Sequence, residues 1–231
     1  MRDYSDFDKR YEKNRKENKI GWSNEESYKL HIENLERILK LEGVSSSGKF
    51  LELGSGAGNN SIYMAKKGWE VYGIEISPVA VEWAKEKAEK EGVRADFRAG
   101  DITYLNGYQD NYFDFVYDGG VSYYICGENR KIFFGNVNRV MKKGAYFFVA
   151  AQHGDEKPRE KKQKDNFLWE PESGTFLKNN APWGSFRLSK EILSEVEKSG
   201  FKIINSRIEK DQHPGDPFTY GGSLSIDCIK R

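Results

Sequence analysis

One stretch constrains this chain more than any other: KFLELGSGAG, residues 49–58. A short apolar run ends in three alternating glycines, and residues 59–67 then read as a helix closed by Gly68. Glycine has no side chain, so such a turn doubles back tightly and lets a ligand approach the backbone. The helix amides behind the turn make a polar floor suited to an anionic or hydroxyl-bearing ligand. Strand, glycine turn and helix together form the opening unit of an alternating architecture.

The rest of the chain continues that alternation. EVYGIEI (70–76) reads as a second strand, and Ser77-Pro78 supplies a helix cap followed by proline at the first helical position. The next helix carries Ala80, Trp83, Ala84 and Ala88 on one face and ends at Gly92. Strands are expected at 95–100, 112–118 and 144–152, with a helix at 128–141 between the last two. A helix capped by Ser189 and ending at Gly200 precedes two final strands, 201–209 and 222–229, joined without a helix. Strands separated by helices pair in parallel with helices on both faces. Two strands with no helix between them pair antiparallel. The expected fold is therefore α/β: a doubly wound, mostly parallel seven-stranded sheet with a C-terminal antiparallel hairpin. Ligands of such sheets sit beyond the carboxyl ends of the strands, at the switch point.

Two segments fall outside the alternation, and both read as attachments to a single domain spanning 1–231. Residues 1–43 form an N-terminal arm. Asp3 to Lys19 is mixed-charge, with Tyr4, Phe7 and Tyr11 spread through it. A helix over 20–42 follows, with Ser23 as N-cap and Glu26 completing a capping box. Tyr28, His31, Leu35, Ile38 and Leu39 form its apolar stripe, which assigns His31 to the core. Residues 152–188 make a connection of a length that is uncommon unless functional or disordered. Its first part is highly charged, whereas Phe167, Trp169, Phe176 and Trp183 give the second part too much apolar surface to stay wet. We read 165–185 as a cap over the carboxyl ends of the sheet.

Composition narrows the class of partner. The chain has 231 residues, with 37 Lys and Arg against 36 Asp and Glu. That near-balance gives no sequence-wide reason for a nucleic-acid or membrane-surface partner. Its basic clusters, at 9–19 and 157–164, are interleaved with acids. Two cysteines, Cys126 and Cys228, make neither a disulfide framework nor a four-ligand zinc site. Apolar runs such as Ala145–Gln152 fall far short of the roughly 20 residues of a membrane span. The first twenty residues contain acids throughout and no apolar core, unlike a signal peptide. A cytoplasmic globular protein without a metal site is expected.

Beyond the glycine turn, two acids sit where a nucleoside would need them. Glu75 ends the second strand 21 residues after Gly54, close to the spacing of about 20 for an acid that binds ribose hydroxyls. Asp101 follows the third strand, where a carboxylate can accept from an adenine amino group. Acidic-x-Gly-x-Gly-x-Gly at 52–58, Glu75 and Gly100-Asp101 together resemble the class I S-adenosylmethionine-dependent methyltransferases. The first motif, GSGAGNNSIYMA (54–65), is similar to the tellurite-resistance and thiopurine branch, as is an acid with glycine two positions on at Asp118 and Gly120. That branch commonly has Arg at the position of Gly119 and His near Tyr123, and both are absent here.

The resemblance implies roles. Gly54, Ser55, Gly56, Gly58 and Asn60 would form the turn against the cofactor. Glu75 would hold both ribose hydroxyls, with Ile76 against the adenine, and Asp101 with the Ile102 amide would read the adenine edge. Asp118 would lie beside the methionine portion. Trp22 resembles an aromatic that closes over the cofactor, although a hydrophobic plug between helix and sheet would need the same residue. S-adenosylmethionine is thus the implied cofactor and a small molecule the implied methyl acceptor. A thiolate or amine needs little beyond desolvation, whereas an alcohol or phenol needs a base. His153, one residue past the fifth strand, is the best-placed candidate, followed by Tyr123 and Tyr124, with His213 in the closing turn. Cys126 has no neighbour that argues for a lowered pKa.

Three rival readings stay open on the sequence. A nicotinamide or flavin site wants Gly-x-Gly-x-x-Gly, and residue 59 is Asn59. A nucleic-acid methyltransferase would want a basic groove. A non-catalytic S-adenosylmethionine sensor or partner subunit would keep the cofactor residues and lack an acceptor site.

Overall fold

A computed structural model describes residues 4–154, 160–179, 181–208 and 222–231. Two helices come first, α1 (Ser5–Lys16) and α2 (Glu25–Ile38). The alternating region follows as β1 (Lys49–Leu53), α3 (Asn59–Lys66), β2 (Glu70–Glu75), α4 (Pro78–Lys90), β3 (Ala95–Ala99) and β4 (Phe113–Asp118). Beyond a 3-10 turn at Val121–Tyr124 come α5 (Asn129–Val140) and β5 (Met141–His153). Four short strands then appear, β6 (Lys162–Lys164), β7 (Phe167–Glu170), β8 (Thr175–Lys178) and β9 (Ala181–Ser185). The chain ends with α6 (Ser189–Lys198), β10 (Phe201–Ile208) and β11 (Gly222–Lys230).

The main sheet has the order β10-β11-β5-β4-β1-β2-β3. Strands β1 to β5 are parallel to their neighbours, while β11 runs antiparallel to both β5 and β10. This is the doubly wound, mostly parallel seven-stranded sheet expected from the alternation. From β1 the chain winds outward to β2 and β3, then crosses back to β4. That reversal opens a crevice at the carboxyl ends of β1 and β4. Apolar side chains cover both faces. Phe133, Phe134 and Val137 of α5 and Ile192 and Val196 of α6 pack on one side. Leu35 and Ile38 of α2 and Met64 of α3 pack on the other.

Local chemistry shifts several expected boundaries. Helix α2 begins one residue later than Ser23 predicts. Asn24 takes the extended cap conformation, and its side-chain oxygen accepts from the Ser27 amide at 2.9 Å. The helix also stops at Ile38 rather than residue 42. Ser189 is the first helical residue of α6, not its cap; there the Leu188 amide donates to the Glu191 carboxylate at 3.0 Å. Ser77 caps α4 as expected, accepting from the Ala80 amide at 3.2 Å. The long connection after β5 contains a second, four-stranded antiparallel sheet, β6-β7-β8-β9. Its aromatic half makes that sheet cohere: Trp169 and Phe176 lie across from each other on β7 and β8 and cluster with Phe186 and Tyr123.

One polar tie fixes α2 against the sheet. Arg37 donates to Asp227 Oδ1 at 2.7 Å, and the Tyr146 hydroxyl donates to the same oxygen at 2.6 Å. Asp227 is only 1% exposed, and its other oxygen accepts from Asn205 at 3.2 Å and from Arg207 at 3.5 Å. Removing one partner of a buried pair strands the other charge, at a cost of about 3–5 kcal/mol. Because Arg207 remains as a second, more distant cation, Arg37→Met should lower unfolding stability in urea by about 1–3 kcal/mol. An unchanged midpoint would show that Asp227 finds its compensation elsewhere.

Candidate functional site

A cleft of about 750 Å³ opens at the carboxyl ends of the parallel strands. That size is within the range of about 300–1,000 Å³ for small-molecule and cofactor sites. Trp22, Gly54, Ser55, Gly56, Asn60, Glu75, Ile76, Asp101, Ile102 and Tyr123 all line it. The sequence-predicted cofactor residues from three successive strand ends thus meet at one rim.

The glycine turn is built by close approach. All three of its glycines have positive φ, and a Cβ on Gly54 would stand 2.7 Å from the Val121 side chain. Glu75 then ties the turn to the next strand end: its carboxylate accepts from the Gly56 amide and the Ser77 amide, each at 3.0 Å. A carboxylate has about four lone-pair positions, so acceptor capacity remains for a ligand. Burial raises the Glu75 pKa, opposed by the backbone amides of Ser77, Gly56 and Ile76. Asp101 accepts from the Thr103 amide at 2.8 Å, which folds the chain after β3 back along the rim.

Glu52 performs the same task for α3. It accepts from Asn60 Nδ2 at 2.8 Å and from the Ser61 amide at 3.0 Å. It is buried, and desolvation pushes its pKa up to about 7 against those hydrogen bonds. Among the described residues, two buried side-chain atoms of the cleft-lining set have no hydrogen-bond partner: Ser55 Oγ and Asn60 Oδ1. Buried polar groups are normally satisfied. Unmet hydrogen-bonding capacity beside a bare glycine turn and a half-used carboxylate fits an adenosyl-bearing ligand.

The N-terminal arm roofs this rim. Tyr11 reaches down to the turn, where its hydroxyl would stand 2.8 Å from a Cβ on Gly56. Phe7 stacks on Trp22 at 5.5 Å and on Trp183 of β9 at 5.2 Å, with the Tyr124 ring edge-on at 5.4 Å. The Arg10 guanidinium lies 3.7 Å from the centre of the Trp22 ring. Lys178 of β8 pairs with Asp6, so α1 and the small sheet meet directly over the cleft. Ser77 donates to Asp8 and holds α1 down on α4.

Three predicted residues fall elsewhere. Gly58 does not line the cleft; a Cβ there would sit 2.9 Å from both Ala84 and Phe97, so its bareness serves helix-on-sheet packing. Asp118 is fully buried behind the wall, where its Oδ1 accepts from the amides of Gly120 and Val121 at 2.9 and 2.7 Å. It shapes the turn after β4 instead of facing a ligand. His153 ends β5 opposite Gly222, is buried, and is outside the cleft wall. His213 lies outside the described residues. The sequence reading missed Phe7, Arg10 and Tyr11 as roof residues, and it assigned His31 to the core although His31 lines the cleft. Tyr4, Phe7 and Tyr11 recur at helical spacing, a signal that could have shown one aromatic face on α1.

With this geometry in view, the likeness to known proteins is informative. Residues 51–149 match the family model described as a methyltransferase domain. A 23S rRNA (uracil(747)-C(5))-methyltransferase from Pyrococcus horikoshii is 39% identical over 74 residues, 31% of this chain and 18% of that protein. A 2-heptyl-1-hydroxyquinolin-4(1H)-one methyltransferase from Mycobacteroides abscessus is 29% identical over 114 residues, 48% of this chain and 50% of that protein. The chain therefore spans about a fifth to a half of the length of these curated relatives. Among solved structures, the 1,6-didemethyltoxoflavin-N1-methyltransferase of Burkholderia thailandensis, with 1,6-didemethyltoxoflavin and S-adenosylhomocysteine bound, superposes with a TM-score of 0.67. It is 16% identical, and the alignment covers 98% of this chain and 86% of that one. The fold is the Rossmann-like fold of these methyltransferases. Among the described residues, no cluster of three or more His, Cys, Asp or Glu could hold a metal, and no helix is long and apolar enough to cross a membrane.

The buried Glu52 gives the site a pH signature. In the unfolded chain this carboxyl ionises near 4.5, but in the folded protein only near 7. The folded state therefore binds the extra proton, and stability from this group is lost as pH rises from about 4.5 to about 7. A shift of that size corresponds to roughly 3 kcal/mol. Glu52→Gln should flatten the wild-type decline across that window in thermal or urea melts at graded pH. Identical pH dependence in both proteins would show that Glu52 titrates normally.

Proposed function

We propose that this protein transfers the methyl group of S-adenosylmethionine to a small, uncharged acceptor. The observation that carries this reading is the common rim formed by the Gly56 turn, Glu75 and Asp101. Glu75 retains acceptor capacity for the ribose hydroxyls, with Ile76 and Ile102 beside it for the adenine ring. Ser55 and Asn60 offer the unmatched polar atoms of the same wall. Bound there, S-adenosylmethionine would supply an electrophilic methyl carbon on a sulfonium. Phe7, Tyr11 and Trp22 roof the rim and exclude water, while β6–β9 closes the side next to Tyr123 and Tyr124. Holding two reactants in line contributes up to about 7–11 kcal/mol, so enclosure and aim are the protein's main tasks.

The acceptor class follows from charge. Among the described residues, the charged ones lining the cleft, Arg10, Glu52, Glu75 and Asp101, lie on the α1, α3 and adenosyl side. The opposite lobe, between α2 and the β5–β11 edge, presents Ser27, Asn34, Gln152 and Ser225. Such a lobe favours a neutral molecule with hydrogen-bonding groups. Among the described residues that line the cleft, Arg10, stacked on Trp22, is the only Lys or Arg. An RNA substrate would want a track of cations for its phosphates, so the small-molecule reading is preferred to one drawn from the ribosomal RNA relatives. The first motif supports the tellurite-resistance and thiopurine branch only as far as the cofactor, because Gly119 and Tyr123 depart from that branch beside the acceptor.

The test is calorimetric titration with S-adenosylhomocysteine, followed by product analysis against phenol, thiol and amine acceptors and an rRNA fragment. Glu75→Gln should weaken S-adenosylhomocysteine binding by roughly 10- to 100-fold, the effect of weakening charge-assisted hydrogen bonds. Circular dichroism melts separate that loss from unfolding. Undiminished affinity in the folded variant would refute the ribose assignment. Tight binding with no methylated product from any class would favour a cofactor sensor.

A further inference from the structure

We infer that His31 is the proton acceptor for the incoming nucleophile and that Tyr117 positions its ring; this rests on the methyl-transfer reading above. His31 projects from α2 into the cleft wall at the turn after β4. The backbone there is bare where the imidazole meets it: a Cβ on Gly119 would stand 3.3 Å from His31 Cε1. Nδ1 lies 2.9 Å from the Tyr117 hydroxyl. Tyr117 is itself fully buried and stacked on Phe148, with ring centres 5.0 Å apart and planes 13° from parallel. Nδ1 is therefore occupied, and Nε2 is the nitrogen left for a ligand.

The protonation logic is consistent with that role. Burial raises the Tyr117 pKa well above its ordinary value, so the group stays a neutral phenol. The role requires the tautomer in which Nδ1–H donates to the Tyr117 oxygen, which leaves the lone pair at Nε2. After proton uptake both nitrogens donate, and the Tyr117 oxygen accepts in either state. Burial alone lowers the His31 pKa below its ordinary 6.5, which keeps the ring neutral and able to accept near pH 7. Polar residues lining the cleft from the elements that carry or flank it include Tyr28 and Asn34 of its own helix, Gln152 from β5 and Ser225 from β11. Apart from Tyr28, whose pKa burial also raises, none of these four titrates.

The reaction this serves is methylation of an O–H acceptor too weakly acidic to be ionised in water. The acceptor's O–H bond breaks and its proton passes to Nε2. The oxygen electron pair forms the O–CH3 bond. The pair of the breaking S–C bond remains on sulfur, which loses its positive charge. A thiol that is already ionised needs no such base, so the two acceptor classes separate the role.

The test uses the full-length protein and two readouts. In the first, imidazole resonances of the S-adenosylhomocysteine complex are titrated by NMR, His31 being identified by its loss in His31→Gln. It should titrate below 6.5, and Tyr117→Phe, folded by thermal melt, should shift that midpoint. A His31 ring charged at pH 7.5, or one indifferent to Tyr117→Phe, would overturn the assignment. In the second, methylation of 4-methylphenol and 4-methylbenzenethiol is compared at pH 7.5. His31→Gln should raise the thiol-to-phenol rate ratio by at least about 100-fold, the lower range of general-base effects, with S-adenosylhomocysteine still bound. An unchanged ratio, or a wild type that methylates only the thiol, refutes His31 as base while leaving methyl transfer intact. A wild type that binds S-adenosylhomocysteine and methylates neither probe overturns the His31 assignment, and the small-molecule reading falls with it when the amine acceptors also give no product.

Discussion

Glu75 accepts hydrogen bonds from the Gly56 and Ser77 amides, and through that carboxylate the turns after β1 and β2 become one surface. The arrangement works against desolvation, since no cation offsets the buried charge and only backbone dipoles support it. Glu52 meets the same constraint one strand-turn earlier, joining β1 to the first turn of α3. Two buried carboxylates within one rim are a poor way to stabilise a fold. They are a good way to keep acceptor oxygens aimed at a polar ligand, and strongly perturbed carboxyls concentrate at functional sites. The shape of the cleft follows from where these two side chains must sit.

Enclosure is the second physical theme. Helix α1 has little apolar surface of its own, yet Phe7 and Tyr11 are buried because Trp22 and Trp183 meet them over the rim. The arm and the small sheet therefore complete each other, with Asp6 and Lys178 pairing across the junction. Water excluded by this roof no longer screens charge, so interactions inside the cleft are stronger than their distances suggest. On the other flank, Arg37 and Asp227 pin α2 to the sheet, and that placement brings His31 to Gly119.

The sheet was legible because its signals are local and periodic. Apolar strands, the Ser77-Pro78 cap and glycine stops recur at the spacing that a parallel α/β sheet requires, and the antiparallel return of β11 was expected because the sequence shows no helical pattern between the last two strands. The rim was legible for a related reason: a residue at a strand end is placed by the strand. Glu75, Asp101 and the turn from Gly54 to Gly56 all reach the cleft on that logic. Gly58 and Asp118 share the same strand ends but serve packing and turn geometry, which spacing alone does not distinguish. The roof was less legible, since Tyr4, Phe7 and Tyr11 are bridged to Trp183 across more than 170 residues of sequence. His31 shows the limit most clearly. Its place on the apolar stripe of α2 is real, yet that stripe runs off the core and onto the cleft wall at Gly119.

A crystal structure of the complex with S-adenosylhomocysteine tests the central claim most directly. The account predicts both ribose hydroxyls within hydrogen-bonding distance of the Glu75 carboxylate, and the adenine between Ile76 and Ile102 with its amino group toward Asp101. An adenosyl group bound away from Glu75 and Asp101, or a rim closed to it by Tyr11, would contradict the account at its root.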